Sequence, residues 1–140
     1  MDILLMTNAH PDFYRLIGPF LGCREVHKEM GGPLWDDLQK YWWIACDPQK
    51  AVLGFAAVLC KADGRICHFC SAYVLPAYRK QGIHALLIDA RLSYCRASQP
   101  IALLTVTANH LSLNAYLQRG FVTTRKNGRY TVLEKRGSNG

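Results

Sequence analysis

The chain has 140 residues, 50% of them hydrophobic and 19% charged, with a net charge of +7. That is enough apolar material for one buried core and too much for a disordered chain, and no apolar run reaches the ~18 to 20 residues of a membrane-spanning helix. The opening "MDILLMTNAHPD" has an acid where a secretory leader has cations, so the expectation is a single cytoplasmic domain over residues 1–140 with no membrane association.

"DILLMT" reads as a first strand. "HPDFYRLIGPFLG" reads as a helix entered through Pro11 and ended near Gly18 and Pro19, and "CREVHKEM" as a second short helix closed by Gly31, Gly32 and Pro33. "LWDDLQK" is one more turn of helix or a loop. From Tyr41 the pattern turns to β. "YWWIAC" is a strand, "DPQK" a turn, "AVLGFAAVLC" a long strand, "KADGR" a hairpin turn carrying Asp-Gly, and "ICHFCSAYV" the answering strand. After "LPAYRKQG", Ile83, Leu87, Ala90 and Tyr94 recur at helical spacing. "IALLTVT" is almost continuously apolar, which predicts a central strand covered on both faces. "NHLSLNAYLQRG" is a helix with Asn109 as its N-cap and Gly120 at its C-terminal end, and "FVTTR" and "RYTVLEK" close as a hairpin around Asn127 and Gly128. A strand–helix–strand crossover inside an otherwise antiparallel sheet gives a mixed α/β architecture.

Charge is unevenly spread. Residues 1–50 hold five Lys/Arg and seven Asp/Glu, net −2, whereas residues 51–140 hold twelve and three, net +9. The C-terminal part therefore suits a polyanion, either the phosphates of a cofactor or a nucleic acid, against the plainer alternative of a solvated basic surface. Six cysteines without a secretory signal are expected as reduced thiols, mostly buried. "CHFC" lacks a second Cys/His pair at ligand spacing, and on a strand its spacing sends Cys67 and Cys70 to opposite faces, so no metal site is expected.

The stretch "VLPAYRKQGIHALLIDARLSYC" concentrates the chemistry. A strand ends, Pro76 removes a ladder donor, and Arg79, Lys80, Gln81 and Gly82 stand at the entrance of a helix. The first turn of that helix offers amide hydrogens with no partner inside the helix, together with the positive end of its dipole. Gly82 has no side chain to keep a phosphate away, and Arg79 and Lys80 add charge at the rim. An ordinary strand-to-helix connection with exposed cations is the competing reading of this stretch taken alone.

A second motif separates the two. "VLPAYRKQGIHALLI" resembles the acetyl-CoA signature of the GCN5-related N-acetyltransferases through Val74, Pro76, Tyr78, Arg79, Gly82 and Ile83, with Leu87 and Ile88 at the helical pair. "NHLSLNAYLQRGF" resembles the family's downstream motif through Asn109, Ser112, Tyr116, Gly120 and Phe121. The resemblance implies a mostly antiparallel, twisted sheet of about seven strands with four helices, whose central parallel pair splays apart for acetyl-CoA. It implies an N-acetyltransferase that passes the acetyl group directly to a primary amine. The cosubstrate's pantetheine arm would pair with Ala72, Tyr73 and Val74. Its pyrophosphate would rest on Lys80, Gln81, Gly82, Ile83 and His84 beside Arg79, Asn109 would hydrogen-bond the pantetheine arm, and Ser112 would belong to the same cofactor site. Tyr116 would protonate the leaving thiolate, its hydroxyl of pKa near ~10 suiting a thiolate of pKa near ~8.5.

Two positions depart from the family pattern. His84 replaces a small residue in the phosphate loop, where it points away, adds a cation, or crowds the site. The strand before Val74 lacks the frequent Glu, which leaves His68 as the local base, or else Glu25, Glu29, Asp36 or Asp37 lining the acceptor groove, or no base at all for an amine that arrives neutral. Rival readings are a nucleic-acid binder, or a tRNA- or DNA-directed acyltransferase, using Arg119, Arg125, Lys126, Arg129, Lys135 and Arg136 as one face with Tyr130 for stacking. An inactive CoA-binding relative is a third. Trp35, Trp42 and Trp43 are candidates for an aromatic acceptor pocket, with burial in the core expected for at least two. The partners expected are acetyl-CoA and an amine acceptor, on a monomer or homodimer.

Overall fold

The computed structural model describes residues 1–30, 32, 34–37, 40–61, 65–98, 102–107 and 109–136. In chain order the elements are β1 (Asp2–Met6), α1 (Phe13–Leu21), α2 (Arg24–Met30), β2 (Lys40–Cys46), β3 (Val52–Lys61), β4 (Ile66–Val74), α3 (Ile83–Ser98), β5 (Ala102–Thr107), α4 (His110–Leu117), β6 (Val122–Asn127) and β7 (Tyr130–Arg136). The seven strands form one sheet in the order β1-β2-β3-β4-β5-β7-β6. Every neighbouring pair is antiparallel except β4 and β5, which are parallel and joined by α3. This is the mixed seven-stranded, four-helix architecture expected from the sequence. No helix among the described residues is long and apolar enough to cross a membrane.

Each face of the sheet has its own core, because successive side chains on a strand point to opposite sides. Trp42 and Ile44 of β2 and Phe55 of β3 pack with Phe13, Leu16 and Ile17 of α1. Trp43, Val58, Cys67 and Phe69 pack on the other face with Leu87, Ile88, Leu92 and Cys95 of α3 and Tyr116 of α4. Trp42 and Trp43 are therefore core residues of opposite faces, while Trp35 is exposed. Cys67 joins the α3-side core and Cys70 packs against the α1-side core, the split that the strand spacing required.

Two local expectations need correction, and one open alternative resolves. Helix α1 does not stop at Gly18 and Pro19 but runs through both to Leu21. Pro19 forfeits one helical hydrogen bond, and the burial of Phe13, Leu16 and Ile17, with Phe20 against Phe55 and Tyr73, outweighs that loss. Leu34–Asp37 of "LWDDLQK" lie in neither helix nor strand, and Lys40 already belongs to β2; Leu38 and Gln39 lie outside the described residues. Strand β5 sits inside the sheet, yet Val106 is exposed because the neighbouring strand has left its side by then. The hairpin turn at Ala62–Gly64, the helix-closing Gly31 and Pro33, and Ile101 also fall outside the described residues.

Candidate active site

The site begins with one surplus residue in β4. Phe55 of β3 faces Tyr73 and Ala57 faces Cys70, so Ala56 alone spans Ser71 and Ala72. This is a β-bulge, and Ser71 carries its strain with a left-handed φ of 55°. The bulge reverses the facing of the strand. Cys67 and Phe69 before it, and Ala72 and Val74 after it, all belong to the α3 side, while Tyr73 turns to the α1 side. Gly54 lets β3 follow the bend: a Cβ there would stand 2.9 Å from the Tyr73 carbonyl oxygen. Parallel pairing of β4 with β5 runs from Ile66 opposite Ala102 to Phe69 opposite Thr105. At that last pair the Thr105 hydroxyl donates to the Phe69 carbonyl at 3.1 Å. Beyond it the strands separate.

A cleft of about 880 Å³ opens where they part. Residues 70–74 of β4 line one wall, residues 105–107 of β5 the other, and Asn109, Ser112 and Tyr116 continue the second wall. The N-terminus of α3 closes one end. There the chain makes a 3-10 turn at Pro76–Tyr78, then takes left-handed conformations at Lys80 (φ 63°) and Gly82 (φ 86°). The first helical hydrogen bond of α3 is Leu86 N–H to the Gly82 carbonyl, so the amides of Ile83, His84 and Ala85 have no carbonyl partner within the helix. Alternating backbone hands before such a start gather amide hydrogens into a concave anion site.

The structure brings most of the residues read from the sequence to this cleft: Ala72, Tyr73, Val74, Arg79, Lys80, Gly82, Ile83, His84, Asn109, Ser112 and Tyr116 all line it. Gln81 is exposed and its side chain is not part of the lining. Arg79 is at the cleft, where its side chain is engaged by residues of β4 and α2. Its Nε donates to the Val74 carbonyl at 2.8 Å, its Nη2 pairs with Glu29 of α2, and its guanidinium lies over the Tyr73 ring at 5.3 Å. Asn109 caps α4 as expected, its Oδ1 accepting from the amides of Leu111 at 2.8 Å and Ser112 at 3.2 Å. That leaves the amide end of its side chain for a ligand.

His84 neither points away nor adds a cation. Its ring stands edge-on to Tyr116, with centroids 6.0 Å apart, and its buried Nε2 has no protein partner. Burial first, then the charges of Arg91 and Arg119, push its pKa down to about 4, so the imidazole is neutral near pH 7. Tyr116 is 3% exposed, with Phe69 and Phe121 against its ring, and its hydroxyl oxygen accepts from Arg91 at 3.1 Å.

His68 is not brought to the site. It lies opposite Leu59 and Leu104, on the part of β4 that is still paired on both sides, and it does not line the cleft. Burial and the nearby Lys61 lower its pKa. Among the acids named from sequence, Glu25 accepts from the Cys23 thiol and Asp36 from the Tyr14 hydroxyl, and neither they nor Asp37 reach the cleft. Glu29 is the one acid lining the cleft among the described residues, and Arg79 engages it. The six C-terminal cations do not form one open face. Arg119 binds Asp89, Lys135 donates to the Arg119 carbonyl and Arg136 binds Glu134, which leaves Arg125 and Lys126 on the outer hairpin, while Arg129, at the turn of that hairpin, lines the cleft with Tyr130.

The reading from sequence missed Arg91, which is fully buried on α3. The signal was present: positions 83, 87, 91 and 95 follow steps of four along the apolar stripe, and the third is an arginine.

Comparison with known proteins agrees with this geometry. Residues 25–131 match the profile of the acetyltransferase (GNAT) domain. The chain belongs to the GNAT family. Its fold superposes on the spermidine N-acetyltransferase of Vibrio cholerae, solved with CoA and spermine, with a TM-score of 0.74 at 16% identity, covering 97% of this chain and 96% of that one. It superposes on the PaiA N-acetyltransferase of Thermoplasma acidophilum, solved with coenzyme A, with a TM-score of 0.67 at 15% identity, covering 97% and 99%. At such identities the likeness is one of fold. In sequence, 76 residues are 34% identical to an aspartokinase of Chlamydia trachomatis serovar D; they make up 52% of this chain and span only 17% of that protein.

Proposed function

We propose that the protein is an acetyl-CoA-dependent N-acetyltransferase that passes the acetyl group directly to a primary amine. One observation carries the reading: a single cleft joins an unpaired β-strand edge, a bare helix start and a tyrosine hydroxyl. The edge at Ala72–Val74 suits an extended amide-bearing chain such as pantetheine, added as another strand would be. The amides at positions 80–84 suit its diphosphate, with Lys80 at the rim. The free amide of Asn109 suits a carbonyl of the same arm.

In the reaction the amine nitrogen attacks the thioester carbonyl, the carbon–sulfur bond breaks, and the electron pair leaves on sulfur. Tyr116 gives that sulfur its proton, yielding CoA thiol. The proton lost by the acylated nitrogen goes to water, and water restores the tyrosine. Holding the reactants in register supplies most of the rate. No unengaged carboxylate lines the cleft among the described residues, so the acceptor is an amine with a substantial neutral fraction near pH 7 to 8. A peptide α-amine of pKa near ~7.7 to 8.0 fits that condition better than a lysine of pKa near ~10.4. The engagement of Glu29 by Arg79 leaves little for a polycation to bind.

Calorimetry with acetyl-CoA, followed by release of free thiol against a panel of α-amines, lysine side chains and polyamines, tests the reading. Binding of acetyl-CoA and thiol release with α-amines are expected. Absence of acetyl-CoA binding overturns it.

A further inference from the structure

We propose that Arg91 is a positioning residue for acyl transfer, holding the Tyr116 hydroxyl so that its hydrogen faces the cleft and putting positive charge beside the oxygen that loses it. The inference rests on the assignment of Tyr116 as the acid.

Arg91 is 0% exposed, and among the described residues no carboxylate pairs with it. Burying an unpaired guanidinium is costly, and replacing buried ions by apolar side chains of similar volume is often neutral or stabilising. The charge therefore calls for an explanation other than stability. Its partners supply one. Nε donates to the Leu87 carbonyl at 3.1 Å and Nη1 to the Ala57 carbonyl at 3.3 Å, which fix the side chain between α3 and β3. The guanidinium lies over Phe69, 4.6 Å from the ring centroid. Nη2 is thereby held 3.1 Å from the Tyr116 hydroxyl oxygen.

That last bond runs one way only, because a guanidinium has donors and no acceptor. The tyrosine oxygen accepts it, and its own hydrogen must go elsewhere. Among the described residues no protein acceptor takes that hydrogen, and Tyr116 lines the cleft, so the proton is left to what occupies the cleft. When the proton passes to the departing sulfur, negative charge develops on the tyrosine oxygen next to a fixed cation in a water-poor setting, where such stabilisation is strongest. After burial, the same charge contributes to the lowered pKa of His84, which lines the cleft beside Tyr116.

The test uses Arg91→Met, Arg91→Lys, Tyr116→Phe and the double variant Arg91→Met/Tyr116→Phe, each with turnover, acetyl-CoA affinity and thermal midpoint measured. Tyr116→Phe is expected to lose about 100-fold in kcat, and Arg91→Met about tenfold, each binding acetyl-CoA within about twofold of the parent. The double variant is expected to be no slower than Tyr116→Phe, since the arginine acts through the hydroxyl. Arg91→Lys, which keeps the charge, is expected to recover part of the loss and keeps the question open to measurement if the methionine variant fails to fold. Normal turnover in Arg91→Met overturns the inference while leaving the tyrosine in place, as does a double variant whose loss is the product of the two single losses. Normal turnover in Tyr116→Phe removes the acid itself, and the inference with it.

Discussion

The two faces of the sheet bury their polar groups in different places. On the α1 side the central contacts are aromatic: Phe13 against Trp42, Trp42 against Phe55, Phe20 against Phe55, with ring centroids 5.1 to 5.8 Å apart. On the α3 side rings meet as well, Phe69, Tyr116 and Phe121 with centroids 5.1 to 6.4 Å apart, and beside them near the cleft lie Arg91, the hydroxyl of Thr105 and the unpartnered Nε2 of His84. The α1 side buries polar atoms too, the unpartnered Nε1 of Trp42 and the Lys40 ammonium that donates to the Trp35 carbonyl, but neither residue lines the cleft. The α3 side places its buried polar groups next to the proposed chemistry.

Substitutions on the two faces should therefore separate, and five are ranked here by the size of their effect. Gly82→Glu puts a carboxylate at the bare amides and forces a left-handed φ on a side chain; acetyl-CoA affinity by calorimetry should fall by at least about 1,000-fold, about 4 kcal/mol. Phe13→Ala, on the α1 side and away from the cleft, should cost about 3 to 5 kcal/mol in chemical denaturation yet leave the acetyl-CoA affinity of the folded protein within about twofold. Equal damage to binding would dissolve the distinction between the faces. Tyr116→Phe should weigh on chemistry instead, with a turnover loss of about 100-fold, close to 2.7 kcal/mol, beside a stability cost of about 1 to 3 kcal/mol from the Arg91 donor left without its acceptor.

His84→Asn comes next and is read through pH. Below pH 6.5 the unfolded chain binds a proton at this imidazole that the folded chain refuses until about pH 4. The stability contributed by its neutral form is thus complete above pH 6.5 and drains away as pH falls toward 4. Between pH 7.5 and 5 the parent should lose about 2 kcal/mol more than the asparagine variant. Over the same range acetyl-CoA affinity should show no gain from a new cation at position 84; a rise that the variant abolishes would mean that the histidine charges against the phosphates. Smallest is Glu29→Gln, which frees Arg79 from an exposed ion pair worth at most about 1 kcal/mol. Acetyl-CoA affinity should rise two- to fivefold, or roughly 0.4 to 1 kcal/mol, at low salt as the guanidinium turns toward the diphosphate. A fall would mark Arg79 as more useful where it stands.

The loop that opens α3 was legible because its requirements are local: a proline to end a ladder, a glycine at a left-handed position, a helix start. The Asn109 cap was legible for the same reason. Arg91 was overlooked because helical spacing identifies a buried stripe without saying whether a charge on it finds partners; only the Ala57 carbonyl and the Tyr116 hydroxyl, on other elements, make its burial tolerable. The end of α1 was misjudged because a proline rule about one hydrogen bond was set against a packed face that sequence does not weigh. His68 looked close to the chemistry because the point at which β4 leaves β5 has no marker. The left-handed residue there is a serine, not the glycine that would have announced it.

The bulge at Ser71 has one more consequence. A β-strand counts in twos, so a single inserted residue changes the parity of everything after it. The fork in the sheet and the facing of its rim are set together: the same surplus residue that marks where the edge of β4 comes free also decides which side chains face each core. Were the strand to keep Ser71 and run on without the bulge, Ala72 and Tyr73 would exchange faces.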